Sequence, residues 1–394
     1  SIGGFTFVVF KTYKMNDMKG KQGMVCMGLL LVLSSCHTGK QITASGLQRK
    51  DFQTEVNGQH TDLFTLSNKQ GMEVCITNYG ARVVSILVPD RNGKREDVVC
   101  GFSTITEYME QRQNFGSTVG RYIGRILNAR FTLDGVEYKL VPNNGKSGHI
   151  SHGGNPGFAD RIWKVEQADT HRVRLSYLSP DGENGFPGNL KVTLVYSLGE
   201  DDNALDLTYE ATTDAPTVLN LSHHSFFNIS GNFTKSVEDQ QLWVDADRFT
   251  PYDDKKCVTG EYLQVAGTPL DFRMPHAIGE CIDADHPQLK VVNGYDHTWE
   301  LNTKGDDTRP AAWVYDPASG RKMEIFTTEP GMQIYTGNGL KGKMTGKRGI
   351  AYPFRSAVCF ETMHFQDSPN QPGFPSTVLR PGEVFRSHTV YKFE

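Results

Sequence analysis

The chain has 394 residues, 38% of them hydrophobic, with 40 glycines, enough apolar material for the core of one large domain or two average ones. Charged residues make up 22% and the formal net charge is −4, which excludes a disordered polyelectrolyte and a nucleic-acid binder built on clustered Lys and Arg. The glycines follow no Gly-X-Y period and belong in turns, so many short strands are expected.

In chain order, residues 1–14 precede the start-capable Met15 and Met18 and are read as a spurious extension. Lys19 and Lys21 then lead into an apolar run, residues 24–33, closed by Ser34, Ser35 and Cys36. Basic, apolar and small residues in that order are a secretory signal layout, too short for a membrane span. The ending is similar to the bacterial lipoprotein box, which implies a signal peptide over 15–35, lipidation of Cys36, a polar tether over 36–50 and a domain over 51–394. Export follows from this reading, with a lipid anchor as the one membrane attachment and a periplasm-facing site. Cys75, Cys100, Cys257, Cys281 and Cys359 remain, an odd number at irregular spacing with neither a disulfide framework nor a zinc pattern.

After the tether, short β-type runs alternate with turn residues. Strands are predicted over 73–77, 82–88, 162–165, 173–178, 191–197, 204–211, 241–245, 311–315, 322–327, 333–336, 357–361 and 389–393. Residues 130–140 read as a hairpin around Asp134-Gly135. Residues 103–111 carry the best helical period, and it is short. This spacing predicts one large all-β antiparallel sandwich with no hinge to divide it.

Two motifs are set aside on chemical grounds. Residues 337–344 approach a phosphate loop but end in Met344, which cannot ligate magnesium, and no helix follows. His223 and His224 are adjacent, so on a strand they face opposite sides and reach one ion only across irregular backbone. No metal or other cofactor is expected.

Six further motifs combine glycine, which lets backbone approach a ligand, with polar groups that can be aimed at sugar hydroxyls. They are Gly120-Arg-Tyr-Ile-Gly-Arg125-Ile, Ser151-His152-Gly-Gly, His223-His224-Ser-Phe-Phe-Asn-Ile, Gly294-Tyr-Asp296-His, Gly331-Met-Gln333 and Glu361-Thr. Taken singly, each has a structural explanation: His152 could cap a loop, Asp296 could make a turn, and Glu361 could end an exposed strand.

In this order, and together with Asn370-Gln-Pro and Leu379-Arg-Pro-Gly-Glu383, the motifs resemble the aldose 1-epimerases from about Phe64 to the end. The resemblance implies a β-supersandwich and cofactor-free interconversion of the anomers of a free monosaccharide. It also implies Glu361 as general base, His224 as general acid, and Arg125, His152, Asp296 and Gln333 as sugar-binding residues. Ring opening needs a proton removed from the anomeric hydroxyl and one delivered to the ring oxygen, tasks that suit a carboxylate and a histidine. Two departures bear on sugar preference: Gly124 stands where relatives often have Asn, and Phe226 where they usually have Tyr. A non-catalytic sugar-binding protein and a glycoside hydrolase using Asp296 and Glu361 are the alternatives.

Overall fold

Strict alternation of apolar and polar residues shapes the middle of the chain. Leu190–Leu198 and Ala204–Thr213 bury nearly every second side chain, the period of a strand with one face on a core and one in solvent. In the computed structural model, which describes residues 41–394, these strands centre a nine-stranded antiparallel sheet. The expectations for residues 1–40, including lipidation of Cys36, lie outside the described residues. The sheet runs from Lys164–Ala168 and Arg172–Ser179 through that central pair to Phe385–Phe393, Lys322–Thr327, Ala312–Tyr315, Gln241–Val244 and His276–Ala277.

A second sheet of six strands orders Phe226–Phe227, Val358–Met363, Gly331–Tyr335, Asp296–Glu300, Arg248–Thr250 and Leu263–Gln264, all antiparallel. A third, of four strands, runs from Leu63–Ser67 to Arg95–Asp97. One apolar core joins Leu194, Leu207 and Ile325 of the first sheet to Trp299, Ile334 and Phe360 of the second and to Val74 and Ile86 of the third. Each such fully buried side chain contributes about 1.5–3 kcal/mol. The expected all-β sandwich is the observed architecture.

The predicted strands are found with shifted ends. The run expected at 162–165 becomes Lys164–Ala168, because Trp163 is fully buried in the core and Ile162 only bridges to Tyr79. The last strand starts earlier, at Phe385, where partial burial alternates over nine residues. The hairpin forms with Asp134 and Gly135 both at positive φ (51° and 80°), the two-residue turn that dipeptide favours. The predicted helix is Ile105–Gln111, started by a capping box in which Thr104 and Glu107 exchange hydrogen bonds. A second helix, Pro287–Val292, has Pro in its first turn and stops at Asn293 (φ 61°), and six residues are too few to show a period.

The strand that matters most, Val358–Met363, is buried at all six positions. Val358 and Phe360 join the main core, while Cys359, Glu361 and Met363 alternate onto the other face. A carboxylate there is enclosed by the fold instead of facing solvent.

Candidate active site

Register across the six-stranded sheet builds one wall. Thr298 stands opposite Gln333, and Gln333 opposite Glu361, so the three side chains form a row on one face. Asp296 begins its strand two residues before Thr298, opposite Tyr335. Thr298 Oγ1 donates to Gln333 Oε1 at 2.5 Å, and Gln333 Nε2 donates to Asp296 Oδ1 at 2.6 Å.

Irregular loops build the facing wall. Arg125–Ile126 pairs with Ile150–Ser151, and His152 donates its backbone N–H to Gly124 O at 2.9 Å. His152 itself adopts φ 52°, and at Gly153 (φ 77°) a Cβ would lie 1.9 Å from Gly120 O, so this approach requires glycine. The other arginine of the motif has a structural task. Arg121 is buried and donates to Ser179 and to the carbonyls of Pro180, Pro187 and Gly188.

Ser222–His224 pairs with Ser117–Val119 and alternates its two histidines. His223 contacts Tyr196 and Ser225 away from the site, and burial pushes its pKa down to about 3. His224 faces the site, its ring stacked on Phe226 at 5.0 Å, so the Phe at that departure position serves as a platform. His224 Nε2 lies 3.4 Å from Glu361 Oε1, with both side chains less than a tenth exposed.

Arg125, His152, His224, Asp296, Gln333 and Glu361, all expected from sequence, line one cavity of about 250 Å³. Burial dominates its electrostatics. Desolvation, and then the charge of Asp296, holds the Glu361 carboxyl well above the ordinary carboxylate range. Desolvation, and then neighbouring His152, holds His224 well below the ordinary histidine range. His152 is pushed down to about 4 by burial and by Arg125, while Asp296 is raised by burial against the opposing pull of Arg125. Both directions favour one proton held by the pair, on Glu361 beside a neutral His224.

Potential ligand atoms of His224, Glu361 and Cys359 fall within 4.8 Å of one another, which makes these the residues that could hold a metal. Burial raises the Cys359 thiol far above its usual value and opposes the thiolate such a site needs. Glu361 faces His224 Nε2 at 3.4 Å, whereas Asp296 is bonded to Gln333, so the two carboxyl groups have different neighbours.

Sequence reasoning missed Gln366, Asn114 and Tyr335 on the cavity wall, and Tyr252 behind it. Gln366 sits in a turn that gave no motif or period; its closeness to Glu361 in sequence was the only available signal.

A family model described as aldose 1-epimerase matches residues 62–392. The galactose mutarotase of Bos taurus is 40% identical over 331 residues, 84% of this chain and 93% of its own. The aldose 1-epimerase of Escherichia coli (strain K12) is 36% identical over 340 residues, 86% of this chain and 96% of its own. Among solved structures, an aldose epimerase homologue from C. elegans superimposes with a TM-score of 0.78 at 31% identity, covering 85% of this chain and 99% of its own. A galactose 1-epimerase from Lactobacillus acidophilus NCFM gives a TM-score of 0.75 at 28% identity, covering 86% and 96%.

Proposed function

We infer the reaction from one premise: the chain belongs to the aldose 1-epimerase family, and it is an isomerase that interconverts the α and β anomers of free aldoses of the glucose and galactose type. The observation that carries the residue assignment is the buried His224–Glu361 contact of 3.4 Å on the wall of a polar cavity.

In the proposed mechanism the Glu361 carboxylate takes the proton of the anomeric hydroxyl while the His224 imidazolium protonates the ring oxygen. The bond from C1 to the ring oxygen breaks and C1 becomes a carbonyl carbon. Rotation about C1–C2 presents the other face, and closure returns both protons to their donors with no net gain or loss. Each positioned transfer is typically worth about 10²–10⁴ in rate. A pair that shares one proton suits this cycle, because carboxylate–imidazolium and carboxylic acid–imidazole differ only by an internal transfer independent of pH. Arg125 donates to sugar oxygens, Asp296 accepts from hydroxyls, Gln333 does either, and His152, held neutral near pH 7, offers one donor and one acceptor.

Polarimetry of freshly dissolved α-glucose and α-galactose tests this reading. The enzyme should speed the approach to the equilibrium rotation, and Glu361→Gln should abolish the effect. Sugar binding without acceleration would support a silent binding protein, and reducing sugar released from aryl glycosides would support a hydrolase.

We also propose that the protein is exported and anchored through lipidated Cys36, on the strength of the Lys19-to-Cys36 layout. Cys36→Ala should lose metabolically incorporated fatty acid; label retained by the variant overturns the assignment.

A further inference from the structure

The sugar pocket contains an amide that no motif announced. Gln366 lies in the turn after the Glu361 strand, is 5% exposed and lines the cavity. Its orientation follows from an obligatory donor: the Arg125 backbone N–H points at Gln366 Oε1 (3.3 Å), so Nε2 faces the other way. There Nε2 donates to Tyr252 Oη at 2.7 Å and to Gln333 Oε1 at 3.3 Å.

That second bond bears on sugar binding. Gln333 Oε1 also accepts from Thr298, so two donors fix its oxygen on one side and turn its NH₂ toward Asp296. Asp296 is thereby held through one oxygen, which leaves the other for a substrate hydroxyl. The same turn grips Arg125 from the second side, since Asp367 N donates to Arg125 O at 2.8 Å, and Asp367 Oδ1 accepts from Leu127 N at 2.9 Å. Three of the proposed sugar-binding residues thus depend on one turn.

Space for this amide exists because residue 124 has no side chain. A Cβ at Gly124 would lie 2.5 Å from Gln366 Cγ and 3.0 Å from Cδ, too close for both to remain. We propose that Gln366 is a positioning and specificity-determining residue of the sugar site, and that Gly124 and Gln366 form one unit in which the missing side chain of the first admits the amide of the second. Its ligand is the hydroxyl edge of an aldose, bound jointly with Arg125, Gln333 and Asp296. This proposal rests on the epimerase reading of the pocket.

The test is a double-mutant cycle read as kcat and KM for α-glucose and α-galactose. Gln366→Met keeps length and removes both hydrogen-bonding ends. At about 0.5–1.5 kcal/mol per neutral hydrogen bond, the net loss of one bond should raise KM by roughly 2–13-fold, unequally for the two sugars, with kcat changed far less. Gly124→Ala removes no polar group yet displaces the amide; residue 124 lies at φ 75°, so Ala strains the backbone in either background, and its effect on KM should be clearly larger with Gln366 present than in Gln366→Ala, where the space is vacant. Gln366→Asn, which keeps the amide on a shorter stem, should recover part of the lost affinity. Wild-type KM for both sugars in folded Gln366→Met, or strictly additive effects of the two positions, overturns the proposal. If the wild-type protein fails to speed mutarotation, the epimerase reading fails instead, and sugar titration calorimetry on the same variants still decides the role of Gln366.

Discussion

Replacing Asp296 with Asn should move one limb of the pH profile and leave the other in place. Burial and Asp296 raise the Glu361 carboxyl, while burial and His152 lower His224, so the one-proton pair persists between a low limb set by His224 and a high limb set by Glu361. Groups with ordinary values would leave only a narrow window, because the carboxyl would ionise first. The strand register supplies the size of the change. Asp296 is two strands from Glu361 and two residues displaced along them, since Asp296 pairs with Tyr335 and Tyr335 with Cys359. Strand spacing of about 4.8 Å and a rise of about 3.4 Å per residue give a separation of roughly 12 Å. At an effective dielectric constant of about 20 this is about 1.4 kcal/mol of repulsion between the two carboxylates. Removing the negative charge eases ionisation of Glu361, so the alkaline limb of kcat/KM should move to lower pH. His224 owes its shift to burial and other neighbours, so the acid limb should stay. Asn can still accept from Gln333 Nε2, which keeps the geometry comparable. Polarimetric kcat/KM across pH, which reports the free enzyme, is the assay. An alkaline limb that stays or rises, or an acid limb that moves equally, refutes the reasoning.

Glu361→Gln should lose at least about 10² in kcat and His224→Ala a similar factor, both measured by polarimetry. Glu361→Gln should also raise the melting temperature at neutral pH: the raised carboxyl loses stability as pH rises from its ordinary value through its folded one, and the amide escapes that loss, so the gap should close toward pH 4. Lys347→Met should leave Asp97 buried without its cation, since Lys347 Nζ lies 2.6 Å from Asp97 Oδ2 with both side chains under a tenth exposed; a cost of about 3–5 kcal/mol lowers the melting temperature by roughly 4–7 °C in calorimetry. Exhaustive chelation should leave mutarotation intact; loss of activity restored by a divalent ion would assign the His224, Glu361 and Cys359 cluster to a metal.

The sandwich was legible where one strand face meets water. Leu190–Leu198 and Ala204–Thr213 alternate plainly, and the Asp134-Gly135 turn announces its hairpin. Boundaries blurred where burial is two-sided, as in Val358–Met363, or where one large residue such as Trp163 plugs the core just outside a ladder. The six site residues were legible because short glycine motifs and carboxylates carried a family resemblance, and the cavity unites all six. Shifted pKa values were not, because they depend on how completely separate segments enclose the groups. Gln366 was not legible either. A turn glutamine becomes informative only when a vacant Cβ position 242 residues earlier is seen to make room for it.

That long sequence separation also explains how the site holds its geometry without a core beneath every residue. Glu361, Gln333 and Asp296 stand on adjacent strands whose other face packs into the apolar core, so their spacing is fixed by ladder hydrogen bonds. Arg125, His152 and Gln366 stand on loops, where a side chain would ordinarily sample several rotamers. Here hydrogen bonds lock the loops to one another: His152 N to Gly124 O and Asp367 N to Arg125 O between backbones, and Leu127 N to the Asp367 side-chain Oδ1. The sheet fixes Glu361, Gln333 and Asp296, the pairing of Ser222–His224 with Ser117–Val119 fixes His224, and the interlocked loops fix the facing wall. Substitutions in the loops should therefore change KM and sugar preference before they change kcat, whereas substitutions on the Glu361 strand should do the reverse.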